Sequence, residues 1–459
     1  MTLRIAGGAG FLGDSLDAPK ELVERTELDY LTLEYLAELT LSILARLREK
    51  DPQAGYARDF LEVLGSLAPA LYLQPQLKII TNAGGMNPRA CAAAAGKLLT
   101  DNGSENLPLG VVLGDDLLGR LEELTASGLG FEHFDTGQPL AELQRPVVSA
   151  NAYLGAGPIA EALGAGAKLV ITGRVADASL TVGPALHEFG WAWDDWNRLA
   201  GASVAGHLIE CGAQATGGYS TSWQDIPELA AIGYPIAELE KTGAAVLTKT
   251  PGSGGKVTRQ TIVEQLVYEI GDPAHYLTPD VDVDFTTVEV ADQGNDRVAA
   301  RGATGRPPPE TYKVSLAYHD GYTASGQLLV YGRDCLQKAQ ACAEIALARV
   351  KQAGFDLQES YVEFLGAGVG VPGLKPAGDP PREVVLRLAV RDRRREAVER
   401  FSKELAPLIT SGPAGLAGYA SGRPAVRPVF AYWPTRMPKD WIELDVEVRP
   451  AKDWARGSC

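Results

Sequence analysis

The sequence predicts an α/β protein: an open, mainly parallel sheet with helices on both faces, followed by a smaller α+β sandwich domain. Three observations point there. Short apolar runs alternate with helical patterns through the first 180 residues, the order of successive βαβ units. From about residue 280 the texture changes to paired strands, then a helix, which suits antiparallel strands with helices on one side. The chain has 459 residues, too many for one simple core. The change of texture divides it into a 1–280 α/β domain and a 281–459 α+β domain.

In the first part, Leu3–Gly7, Tyr30–Glu34, Leu77–Thr81, Leu109–Leu113, Val147–Ala150 and Lys168–Thr172 read as strands. Leu39, Ile43, Leu44 and Leu47 recur at helical spacing and define one helix face. Pro88–Leu99 and Pro158–Leu163 read as two further helices. In the second part, Phe285–Val290 and Arg297–Arg301 read as a strand pair turning at "DQGND". Tyr312–Tyr318 and Gly326–Tyr331 read as another pair. Helices are expected at Asp334–Gln352 and Arg395–Leu408, with strands near Tyr361–Phe364, Val384–Val390, Val429–Trp433 and Trp441–Val448. "ATGRPPPE" (303–310) and "GVPGLKPAGDPPRE" (370–383) read as loops.

The formal charge is −15, from 43 basic and 58 acidic residues. Nucleic-acid partners favour a basic face, so none is expected. There is no run of 18 apolar residues, so no membrane span is expected, and the opening lacks a signal-peptide pattern. The expectation is a cytoplasmic soluble protein. Cys91, Cys211, Cys335, Cys342 and Cys459 contain no C-x-x-C pair, which argues against a disulfide framework or structural zinc.

"IAGGAGFLGDSLDAP" (5–19) contains Gly8, Gly10 and Gly13 in a G-x-G-x-x-G pattern after an apolar run. A dinucleotide site also needs a long helix whose N-terminus faces the pyrophosphate. Pro19 interrupts the place of that helix, and Asp14 and Asp17 set negative charge where phosphates would lie. Glu34 stands at the position of the ribose-binding acid, in a stretch rich in acids. No tyrosine has a lysine four residues later, so the short-chain dehydrogenase pair is missing. The turn therefore reads as structural, or as one that touches a ligand other than a dinucleotide.

Four more polar turns follow expected strands: "TNAGGMNPRA" (81–90), "GDD" (114–116), "NAYLGAGP" (151–158) and "TGRVADASL" (172–180). In an open parallel sheet these ends share one rim, where ligands bind. With the first turn they contribute Asp14, Asn82, Gly84, Gly85, Asn87, Asp115, Asp116, Asn151, Arg174 and Asp177. Any one alone is ordinary loop punctuation. Arg174 suits a bidentate grip on a carboxylate or phosphate. Asp177 suits a proton acceptor or a helix cap.

In "AGHLIECGAQATGGY" (205–219), a helix would set His207 and Glu210 on one face. Acid–base work, a divalent metal site and a hydrogen-bonded structural histidine are the competing readings. Cys211 beside them reads as a nucleophile or a small buried side chain. "PGSGGKVT" (251–258) departs from the phosphate-loop pattern at Thr250 and Val257. Its Lys256 marks either a solvated turn or a loop that closes over an anion. The tryptophans of "HEFGWAWDDW" (187–196) read as a core or interface cluster.

Taken in order, "GGAGFLGD", "DYLTLEYLAELT", "TNAGGMNPRACA", "GDDLL", "ITGRVADASLTVGPALHEFGW", "AGHLIECGAQATGGY" and "YLTPDVDVDF" resemble the acyclic terpene utilisation (AtuA-like) family. The resemblance runs to about residue 350 and more loosely to about 450. It implies breakdown of citronellol- or geraniol-type terpenoids through branched acyl-CoA intermediates and, in some members, a small ferredoxin-fold partner; a homo-oligomer is expected. It supplies no set of catalytic residues.

Chemistry and position supply the site instead. Asp177 and Glu210 would move protons, assisted by His207. Arg174 and the amides of Gly8–Gly13 and Ala83–Gly85 would hold an anionic acyl-CoA or branched carboxylate. Addition or removal of water, or an isomerase step, is the expected reaction. No cofactor is expected beyond a CoA thioester as substrate, with a divalent metal left open. A non-catalytic ligand-binding or scaffold subunit and a metal-dependent hydrolase or lyase using His207, Glu210, Asp115 and Asp116 remain as alternatives.

Overall fold

In a computed structural model, described for residues 2–367, 380–418 and 422–456, the chain forms two compact units. One comprises residues up to Ala317 and from Tyr432 onward; the other is Tyr318–Ala431. Part of the 370–383 loop, and Cys459, lie outside the described residues.

The first unit begins β1 (Thr2–Ala9), α1 (Ala18–Arg25), β2 (Tyr30–Leu33), α2 (Glu38–Lys50), α3 (Asp59–Leu73), β3 (Lys78–Thr81), α4 (Pro88–Asp101) and β4 (Pro108–Leu113). It continues α5 (Leu121–Ala126), β5 (Val147–Ala152), α6 (Gly157–Gly164), β6 (Leu169–Thr172), α7 (Ser179–Phe189) and α8 (Trp196–Glu210). Then come β7 (Pro235–Glu240), β8 (Ala245–Lys249), α9 (Arg259–Leu266), β9 (Tyr276–Leu277), β10 (Asp282–Asp284), β11 (Glu289–Gly294), β12 (Arg297–Arg301) and β13 (Thr304–Arg306).

The main sheet is mixed. Its centre, β1-β2-β3-β6-β4, is parallel. On one flank β7, β8, β12 and β11 add antiparallel, and on the other a late strand, Asp445–Pro450, pairs antiparallel with β4. Within the first flank, β7–β8 and β11–β12 are consecutive antiparallel pairs, as short connections require. Helices cover both faces at β1, where successive residues point to opposite sides. A Cβ on Gly7 would lie 1.9 Å from the Ile209 carbonyl of α8, whereas one on Gly8 would meet Leu31, Leu33 and Pro19 of α1.

Leu22, Leu31, Leu33, Phe60, Ile79, Ala95, Leu109 and Ile171 share one core beneath α1, α3 and α4. α8 is buried along Leu199–Ile209. Its small residues permit that depth: a Cβ on Gly201 would stand 2.1 Å from the Gly243 carbonyl.

The second unit holds the latter part of β14 (Thr311–Tyr331), α10 (Cys335–Gln352), β15 (Glu359–Leu365), β16 (Glu383–Asp392), α11 (Arg395–Phe401), α12 (Leu408–Ser411) and β17 (Leu416–Gly418). The strands are antiparallel in the order β15-β16-β14-β17. Val330, Cys342, Leu386 and Phe401 belong to a shared core. The chain re-enters the first unit through β18 (Arg427–Pro438), then β19 (Asp445–Pro450) and α13 (Ala451–Ala455).

Several local expectations change. β14 is one continuous strand, not a pair. Gly321, at φ +92°, lies so close to β16 that a Cβ would stand 2.6 Å from the Asp392 carbonyl. The glycine thus serves a close approach in mid-strand instead of a reversal. The expected 395–408 helix stops at Phe401 and restarts at Leu408 after Pro407, which cannot continue a preceding helix. Phe285–Thr287 is a 3₁₀ turn before β11. β5 leaves the parallel sheet and pairs with β14. Pro19 does not prevent a helix, because it occupies the first turn of α1, where its missing N–H costs no bond. α2 forms, but Leu39, Ile43 and Leu47 face outward while Leu41 and Leu44 are buried. Among the described residues no helix is long and apolar enough to cross a membrane.

Candidate functional site

The C-terminal ends of the parallel strands converge on a cavity of about 530 Å³ in the first unit. Gly10 and Asp14 come from the turn after β1, Glu34 from the end of β2, Arg174 and Asp177 from the turn after β6. Glu210 and Cys211 arrive from the end of α8, and Tyr234, Tyr268 and Glu269 complete much of the wall. Five of these groups are carboxyls, against the single guanidinium of Arg174.

The glycine turn is occupied by its own protein. Asp14 Oδ2 accepts a hydrogen bond from the Gly10 amide at 2.8 Å, and the Tyr234 hydroxyl donates to Asp14 Oδ1. A Cβ on Gly10 would stand 2.6 Å from the Gly212 amide nitrogen. Gly10 thus admits the segment after α8, and a carboxylate fills the place of a phosphate oxygen. Gly8 packs against Leu31 and Leu33, and Gly13 turns the chain at φ +96°.

Arg174 is 1% exposed. Its Nε donates to the Val175 carbonyl, Nη1 to the Leu36 carbonyl at 2.5 Å, and Nη2 to Asp177 Oδ1. Its Cζ also lies 4.3 Å from the Tyr153 ring centroid. The arginine expected to grip an anion instead organises the cavity wall and anchors Asp177. Asp115 supports it from behind: Oδ2 accepts from the Arg174 amide at 2.7 Å and from Asn151 Nδ2 at 2.8 Å. Burial pushes the Asp115 carboxyl up to about 7, against the pull of those hydrogen bonds.

Glu34, weighed in the sequence only against the ribose-binding acid, was not counted among the candidate site residues. It is 4% exposed and lines the cavity. Its Oε1 accepts from the Leu36 amide at 2.7 Å and from Asn82 Nδ2, while Oε2 has no hydrogen-bond partner among the described residues. Burial pushes its carboxyl up to about 7; Arg174, Asn82 and Leu36 pull downward and Glu210 adds to the rise. Its position immediately after a strand was the available signal, the same one that selected Asn82 and Arg174. Asn82, fully buried, also accepts from the Tyr35 amide, so it holds Glu34 and the backbone in place.

His207 is 2% exposed. Nδ1 faces Glu210 Oε1 at 3.0 Å and Nε2 faces the Gln265 carbonyl at 2.9 Å. A carbonyl only accepts, so Nε2 carries a proton and one more is shared between Nδ1 and Glu210. Burial pulls the imidazole down, but the Glu210 hydrogen bond and charge outweigh it and raise the net value above the ordinary range. Glu210 Oε2 is buried without a hydrogen-bond partner among the described residues. Burial, with Glu210 nearby, pushes the Cys211 thiol up to about 12, which leaves little thiolate at neutral pH.

The remaining expected residues lie outside this lining. Asn87 caps α4 and donates to the Pro52 and Ala54 carbonyls. Gly84 packs on the Thr172 carbonyl and Gly85 on Leu44. Asp116 pairs with Arg48 at 2.8 Å. In the turn that precedes α9, the Lys256 amide donates to the carbonyl of Thr216, from the segment after α8. Among the described residues no group of three or more His, Cys, Asp or Glu side chains is arranged to hold a metal ion.

A second cavity, of about 570 Å³, shares Asp177, Glu210 and Glu269 with the first. His207, Tyr153, Tyr276, Tyr312, Lys313 and Arg436 are among its other walls. Several of these come from β14 and β18, far from the motif-bearing stretch, and carry no local sequence signal.

The family model described as acyclic terpene utilisation family protein AtuA matches residues 3–448. Comparison with curated proteins and with solved structures gives no match. The matched region spans both units and every cavity residue named above. The chain belongs to the acyclic terpene utilisation family AtuA, and its role lies in the use of acyclic terpenes.

Proposed function

We propose that this protein is an enzyme of branched acyl-CoA or terpenoid acid metabolism that adds or removes water, or performs a related lyase or isomerase step. The observation that carries the reading is the grouping of Glu34, Asp177 and the His207–Glu210 pair around two cavities that share Asp177, Glu210 and Glu269, in unequal electrostatic settings. Carboxyls in unequal settings divide acid from base roles. Glu34, poised near 7, exists in both protonation states at neutral pH. Asp177 is held by Arg174 in an ion pair, which favours its anion.

In the removal of water from a 3-hydroxyacyl group, Asp177 or Glu210 takes the proton from the carbon beside the carbonyl. Glu34 gives a proton to the departing hydroxyl. The C–H and C–O bonds break, a C=C bond forms and water leaves; addition runs the same steps backward. Each positioned group contributes about 10²–10⁴-fold. The test is incubation of the full chain with branched enoyl and hydroxyacyl substrates, free and CoA-linked, read by mass spectrometry. Gain or loss of one water, or a shifted double bond, is expected. Unchanged substrates across the whole panel would overturn the reading.

A further inference from the structure

The second cavity has a charge pattern that the first lacks. Lys313 and Arg436 join its wall, and the first cavity has neither. Lys313 Nζ lies 4.6 Å from the Tyr153 ring centroid, the same ring that Arg174 approaches. Lys439 adds a cation beside that wall: its Nζ lies 5.3 Å from the Tyr312 ring and donates to the Pro279 carbonyl. Tyr312 and Pro279 both line the cavity, together with Phe134, Tyr276 and Leu277. Apolar and aromatic surface therefore surrounds basic groups. The first cavity sets five carboxyls, Asp14, Glu34, Asp177, Glu210 and Glu269, against Arg174, whereas the second sets three of them, Asp177, Glu210 and Glu269, against Lys313 and Arg436; like charges at short range disfavour an anion more in the first.

We propose that the second cavity is a subsite for an organic anion with an apolar body. Lys313 and Arg436 take its carboxylate or phosphate oxygens, the aromatic wall covers its chain, and the carboxylates common to both cavities reach its uncharged reacting end. Only the last clause rests on the acid–base reading above. Anionic oxygens could belong to a free acid or to the phosphates of a CoA thioester.

Calorimetric titration of the full chain separates these sources. The probes are a branched unsaturated monoterpenoid carboxylate, its CoA thioester, CoA alone and the matching neutral alcohol. Arg436 is exposed, so Arg436→Gln should keep the fold; thermal unfolding checks it and the Lys313→Gln/Arg436→Gln double variant. Loss of charge-assisted bonds should weaken anion binding by about tenfold in the single variant and further in the double. Alcohol binding should stay within about twofold, since it uses no charge pairing. A loss confined to the carboxylate identifies a free acid; a loss shared by thioester and CoA identifies phosphate. Unchanged anion affinity in Arg436→Gln, equal losses for alcohol and anions, or no anion binding by the wild type would each overturn the proposal. Cation-dependent binding without turnover would remove the acid–base reading and leave the subsite standing. Turnover with unaltered KM in the variants would do the opposite.

Discussion

His207 Nδ1 lies 3.0 Å from Glu210 Oε1 while its Nε2 meets the Gln265 carbonyl at 2.9 Å. The carbonyl fixes one proton on Nε2, so the histidine and glutamate share the second. A buried imidazole alone would favour neutrality; the glutamate reverses that preference.

The first prediction concerns this pair. The folded histidine titrates above its ordinary value, so its contribution to stability is complete below about pH 6.5 and fades as pH rises through the folded midpoint. Glu210→Gln should lower the midpoint, because burial then acts with less opposition. Nitrogen-15 NMR of His207 reads this directly. A midpoint indifferent to the substitution would show that Glu210 does not hold the proton.

Glu34 gives a second prediction with the same sign. Its folded value is raised to about 7, so its contribution is complete below the unfolded carboxyl value and lost as pH climbs through about 7. Glu34→Gln keeps an acceptor for the Leu36 amide and removes the buried charge. The variant should gain stability over the wild type at pH 8 by on the order of 1–3 kcal/mol, and little at pH 4. Urea unfolding at both pH values checks it; a constant difference between them would contradict the assignment.

Catalytic roles make a third. With a substrate that gains or loses water, Glu210→Gln should lower kcat by about 10²–10⁴-fold with a smaller change in KM. The wild-type rate should show a limb near pH 7, set by Glu34, that disappears in Glu34→Gln. Rates that respond equally through KM would mean these groups bind and do not move protons.

A fourth prediction tests the support behind the cavity. Asp115→Ala leaves the Arg174 amide and Asn151 Nδ2 without their acceptor in a buried region. Each orphaned donor costs about 1–3 kcal/mol. Chemical denaturation should reveal a loss in that range or above, while a change below about 0.5 kcal/mol would place solvent or another acceptor there.

The glycine turn supplies the fifth. Gly10→Ala drives a Cβ to 2.6 Å from the Gly212 nitrogen, backbone against backbone. Overpacking of this kind costs about 1–3 kcal/mol. The melting temperature should fall; an unaffected protein would mean that the segment after α8 moves freely away from β1.

Much of the first unit is legible in local pattern. β1, β2, β3, β4 and β6 follow from short apolar runs, and the polar residues after them identify the rim. The same reasoning underused Glu34, noted at the ribose-acid position and discounted as one of many acids, although it is an enclosed carboxyl. It overlooked Lys313, because a lysine in a β-strand gives no sign of which cavity that strand will border. The expected pair Tyr312–Tyr318 and Gly326–Tyr331 is instead one strand, in which Gly321 makes a close approach to β16.

The amino-acid order alone determined the alternating architecture of the first unit, the polar strand ends and membership of the family, because these depend on periodicity and on residues adjacent along the chain. Tertiary structure decided which polar ends face a cavity and which are spent on the protein itself. Asp115 and Asp177 look alike in the sequence; one is enclosed by Asn151 and the Arg174 backbone, the other stands where both cavities begin. Hydrogen bonding and desolvation act over a few ångströms in space, and partners 36 and 59 residues from Asp115 come within that range only after folding.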